Sequence, residues 1–68
     1  MEELLTPEQV GRALRVPRSS LYRWHRLGEG PPVIRVGKHL RYPRVGLEKW
    51  LAELAEVEHR RRDERGAA

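Results

Sequence analysis

Cysteine is absent from this 68-residue chain, so neither a disulfide framework nor a cysteine-ligated zinc site can compensate for a small core. That absence also fits a reducing cytoplasm, the compartment expected for the protein. No apolar run is long enough to span a bilayer, and the first residues are acidic, unlike the basic-then-apolar order of a signal peptide. No membrane association is expected. His25, His39 and His59 are scattered without metal-ligand spacing, and no nucleophile, base and orienting group fall near one another. The glycines form no phosphate-binding fingerprint. A chain of about 60 residues buries only about 60% of its unfolded surface, which leaves little core from which to carve a pocket. One domain without catalytic activity, metal or cofactor is expected.

What the chain does have is positive charge in one place. Residues 1–10 carry three acids and no base, whereas residues 11–44 carry nine Arg or Lys against the single acid Glu29, a net +8. Residues 45–68 are close to balanced, with five bases and six acids. Basic residues concentrated in one stretch are the footprint of a phosphate-binding surface, or of a merely solvated face, and their placement has to decide.

Thr6, Pro7 and Gln9 read as an N-cap, a first-turn proline and a capping-box partner, with Leu5 and Val10 spaced as a hydrophobic staple. Val10, Ala13 and Leu14 give this first helix an apolar face. Arg15, Val16 and Pro17 break it in a tight turn. A second helix runs from about Arg18 to Leu27 and stops at Gly28, a residue suited to the left-handed conformation. Val33–Val36 and Leu40–Tyr42 then read as a hairpin around Gly37, Lys38 and His39. A two-residue loop pairs Val36 with His39 and mixes Ile34 and Val36 with Arg41 on one face. A three-residue loop pairs Val36 with Leu40 and Ile34 with Tyr42, separating the apolar residues from Arg35 and Arg41, and is the register expected. After Pro43, Leu47, Trp50, Leu51 and Leu54 mark the buried stripe of a last helix. Beyond Val57 the residues are charged, with Glu56–Arg60 and Glu58–Arg62 spaced to support a solvated extension. Gly66, Ala67 and Ala68 are expected to be disordered. The domain is therefore placed at 1–57, with a charged, frayed or disordered tail over 58–68.

On a helical wheel, Leu21 and Trp24 turn the second helix towards the core. Ser19, Tyr22, Arg23 and Arg26 occupy the other side, with Arg18 and Ser20 near the N-terminal flank. An α-helix fits the major groove of B-DNA, where arginine pairs with guanine and hydroxyl groups reach phosphates or base edges. Helix, turn, basic helix and basic hairpin follow in the order of a winged helix-turn-helix: a mainly α fold with a β-hairpin. In the wing, Lys38 is the tip contact, and Arg35, Arg41 and His39 can add to it, although His39 also suits a neutral turn position. Trp24, Trp50 and Tyr42 are assigned to the core.

Leu4-Leu5-Thr6-Pro7, the run Val16 to Trp24, and the stretches GPPVIRVGKHLRYP and GLEKWL resemble the excisionase-type small helix-turn-helix proteins, related in fold to MerR-type winged helices. The resemblance covers about Leu4 to Leu54. It implies DNA contacts by Arg18, Ser19, Tyr22, Arg23 and Arg26, with Lys38 and Arg41 from the wing. It departs at Arg15, where many members have glycine, and at Pro17, where many have serine. The function implied is binding and bending of double-stranded attachment-site DNA to direct an integrase towards excision. The expected form is a monomer in solution, because the last helix lacks sustained heptads past the core, with several copies side by side on DNA. A small transcription regulator of the same fold, and a protein-interaction adaptor using the Leu54–Arg62 extension, are the alternative readings.

Overall fold

The computed structural model describes residues 1–66, and side chains as far as Arg62. The capping box forms as the sequence predicts: the Gln9 N–H donates to Thr6 Oγ1 at 3.1 Å, and the Thr6 N–H donates to Gln9 Oε1 at 2.9 Å. Helix α1 runs Pro7–Leu14, with Val10 fully buried and Leu5 packed against the same cluster, although Ala13 is exposed rather than part of the apolar face. Helix α2 spans Arg18–Arg26. Strands β2 (Ile34–Val36) and β3 (His39–Pro43) make the hairpin, and helix α3 runs Arg44–Gly66. A short strand not read from the sequence, β1 (Leu4–Leu5), pairs antiparallel with β3 to give a three-stranded sheet of order β1-β3-β2. Val10, Leu21, Tyr42 and Leu47 form the core, with Leu14, Val16, Trp24, Val33 and Trp50 packed around it.

The hairpin register is the one the sequence argument set aside. Val36 pairs with His39, Arg35 with Leu40 and Ile34 with Arg41, so the loop is the two-residue Gly37–Lys38. Gly37 has φ 62° and Lys38 a negative φ, the combination of a type II′ hairpin turn, whose twist matches that of the strands. The expected three-residue loop would have turned Ile34 and Val36 towards the core. They do not face it: they are 46% and 52% exposed, and Val33, Leu40, Tyr42 and Leu5 cover the core from the other face. No charge is buried by this register, and Arg35 and Arg41 end on opposite faces instead of together.

Helix α3 also departs from expectation. Leu47 is buried and Trp50 half-buried, but Leu51 and Leu54 are 37% and 46% exposed, because nothing from the rest of the domain reaches past Trp50 to cover them. The helix continues unbroken through the supposed tail, and Gly66 is its last residue; Ala67 and Ala68 lie outside the described residues. In place of the two expected i, i+4 pairs, Arg61 bridges Glu58 at 3.4 Å. At its other end the helix is held by the first residues of the chain. The Val45 N–H donates to a Glu2 carboxylate oxygen at 3.0 Å, and Arg44 bridges Glu3 at 3.3 Å and Glu48 at 3.0 Å. A carboxylate at a helix N-terminus satisfies a free N–H and opposes the helix dipole.

Candidate nucleic-acid interface

The turn between α1 and α2 depends on close backbone approach. A Cβ on Gly11 would stand 3.0 Å from the Val16 carbonyl oxygen, tighter than an ordinary contact, so glycine suits the close seating of α1 against the turn. Arg15 closes α1 in the left-handed conformation (φ 57°), and the Val16 N–H donates back to the Gly11 carbonyl at 3.0 Å. This is a Schellman-type ending with arginine in the place usually given to glycine. Pro17 follows as the N-cap of α2 and supplies no side-chain cap.

Helix α2 is seated by Leu21, 1% exposed, and by the tilted stacking of Trp24 on Trp50. Seating those two residues turns Ser19, Tyr22, Arg23 and Arg26 to solvent, as the wheel predicts, with Arg18 exposed at the first turn. Ser20 is half-buried, because it lies one residue from Leu21 on the inner flank. At the far end the Glu29 N–H donates to the Trp24 carbonyl at 2.7 Å and the Gly28 N–H to that of His25 at 3.1 Å, with Gly28 at φ 72°. Chain reversal there is completed by Gly30, whose φ of 85° and whose position beside the Trp24 ring both disfavour a side chain.

In the wing, Lys38 stands exposed at the tip and His39 exposed opposite Val36. Arg35 is exposed on the face of Leu40. Arg41 is half-buried on the other face and donates to the Leu40 carbonyl at 2.7 Å, which orients its guanidinium within the strand. The wing therefore presents cations on two faces, not one. Tyr42, beneath them, is 1% exposed; burial first, and then the neighbouring Tyr22, raises its phenol pKa above the usual value.

The electrostatics separate this surface from the rest of the molecule. Arg12–Glu8, Arg44–Glu3, Arg44–Glu48 and Arg61–Glu58 form ion pairs, none of them on α2 or the wing. Among the described residues Arg18, Arg23, Arg26, Arg35 and Lys38 have no counterion. Arg15, which sequence reasoning did not include, adds a further exposed guanidinium beside the start of α2. Its position inside the three-residue turn was the available signal. Among the described residues no group of three His, Asp or Glu side chains comes together as a metal site, and no helix is long and apolar enough to cross a membrane.

Helix, turn, seated helix with a cationic outer face, and a hairpin wing define a winged helix-turn-helix protein. The family profile of the helix-turn-helix domain matches residues 4–55, and the chain belongs to that family. No curated protein and no solved structure gave a match. The domain suggests sequence-specific DNA binding, and the matched span takes in α1, α2, the wing and the start of α3.

Proposed function

We propose that this chain is an excisionase, a recombination directionality factor that binds attachment-site DNA and directs an integrase of a phage or mobile element towards excision. The observation that supports the DNA-binding part is the set of cations on α2 and the wing without counterions among the described residues. In that reading Arg23, Arg26 and Tyr22 enter the major groove with Ser19. Arg18, Ser20 and the uncapped first turn of α2 meet phosphates, a helix N-terminus being favourable for an anion. Lys38, with Arg35, His39 and Arg41, engages the flanking backbone or minor groove. The assignment to excision rests on the resemblance carried by residues 16–24, the wing and GLEKWL. A module this small has limited contact area, so several copies side by side supply the bend that brings distant recombinase sites together. The protein itself breaks no bond.

A purified recombination assay with the integrase encoded nearest the gene tests the proposal. Added protein is expected to stimulate excision and inhibit integration, and Arg23→Ala to do neither. Excision that proceeds equally well without the protein, with promoter output changing on its deletion, would replace the excisionase by a transcription regulator of the same fold.

A further inference from the structure

The second half of α3 carries an apolar stripe left uncovered among the described residues. Leu47, Trp50, Leu54 and Val57 recur at the 3-4-3 spacing of a heptad seam, and Leu51 flanks it. The first two positions are used in the core, directly or through Trp24. From Leu51 onward the stripe is open, and Trp50, Glu53, Leu54 and Val57 line a shallow groove along the helix. Leu51 and Leu54, expected in the buried stripe of the last helix, are both exposed.

Charge identifies a partner for the stripe. Residues 48–58 of α3 carry four Glu against Lys49, whereas residues 60–62 are three consecutive Arg. Glu53 and Arg60 occupy the same edge of the seam two turns apart, and neither forms an ion pair within the chain among the described residues. In an antiparallel pair of identical helices with Leu54 opposite Val57, Glu53 of each chain meets Arg60 of the other, twice by symmetry. In a parallel pair Glu53 instead meets Glu58 of the second chain, a repulsion. We infer that the α3 helices of two copies of this chain associate antiparallel through Trp50, Leu54 and Val57, with Glu53 and Arg60 setting the direction.

Sedimentation equilibrium without DNA tests the inference, independently of any DNA-binding role. The native chain is expected to pass from monomer to dimer mass between micromolar and millimolar concentration, and Leu54→Glu to remain monomeric with an unchanged tryptophan-monitored melt. Glu53→Arg and Arg60→Glu are each expected to be monomeric alone, since each places like charges together, and to form a one-to-one heterodimer when mixed. That mixing result cannot arise within a single helix. A native chain that stays monomeric throughout, dimers that persist in Leu54→Glu, or a Glu53→Arg variant that associates more tightly would each overturn the inference, the last because it indicates parallel pairing.

Discussion

Trp24 of α2 and Trp50 of α3 stack with ring centroids 6.3 Å apart and planes inclined at 47°. This tilted pair ties the candidate recognition helix to the long C-terminal helix, both rings half-buried beside the core. Trp50→Ala should therefore cost about 3 kcal/mol, the lower end of the range for truncating a buried aromatic ring. That is a large share of the ~5–15 kcal/mol that stabilises a whole domain. A urea titration followed by far-ultraviolet circular dichroism measures it; a loss of DNA binding with unchanged stability would contradict the packing role of Trp50.

Two glycines after α2 should respond differently to alanine. Gly28 has φ 72° with nothing within 4 Å of where a Cβ would stand, so Gly28→Ala carries only the left-handed backbone cost of ~1 kcal/mol. Gly30 has φ 85°, and its Cβ would lie 3.1 Å from Trp24 Cβ. Gly30→Ala should be the more destabilising and should also shift the tryptophan emission, which Gly28→Ala should leave in place.

Arg15 is the one non-glycine residue at positive φ among those described. An L-residue there costs about 1–2 kcal/mol, and glycine loses part of that advantage, about 0.4–1 kcal/mol, through its freer unfolded chain. Arg15→Gly should consequently raise stability by about 0.5–1 kcal/mol, read as a higher urea midpoint at unchanged slope. It should also weaken DNA affinity by removing a guanidinium beside α2. Stability that falls would show that the left-handed cap is not strained.

On DNA, Arg23→Ala and Arg26→Ala should each weaken specific binding by about 1–3 kcal/mol, the range for a lost base contact, without lowering stability. Lys38→Ala should lower affinity on all sequences and reduce the salt slope by about 1, since a phosphate contact releases counterions without reading bases. Titrations at several salt concentrations on specific and scrambled duplexes distinguish the two roles.

Tyr42 gives a pH dependence with a defined sign. Burial raises its folded-state pKa above the unfolded value, so in the window between them the folded chain holds a proton that the unfolded chain has lost. Stability from this group is complete below the unfolded phenol pKa, about 10, and declines as pH rises through the folded value. Tyr42→Phe should flatten the alkaline part of the stability profile relative to the native chain; two parallel profiles would exclude Tyr42 as the source.

Much of the α1–turn–α2 unit was legible because its determinants are local. The Thr6–Gln9 capping box closes within three residues, and the Gly28 ending returns to carbonyls of the preceding turn. The outward face of α2 follows from helical geometry once Leu21 and Trp24 are assigned inward, and so its candidate DNA-contacting residues could be named from sequence, Ser20 alone proving half-buried.

The sheet and α3 were decided by tertiary structure. Alternation in Ile34–Val36 is compatible with two hairpin registers that differ by one residue, and only the way Val33, Leu40, Tyr42 and Leu5 close over the core selects between them. The periodicity of α3 marks Leu51 and Leu54 as apolar on one face but carries no record of where the rest of the domain ends, which is at Trp50. The acids at the start of the chain read only as charge, yet Glu2 bonds the Val45 N–H 43 positions away and Glu3 holds Arg44. Short-range hydrogen bonds and helical periodicity are written in neighbouring residues; which strand meets which edge, and which apolar face finds a cover, depends on segments that become neighbours only when the chain folds.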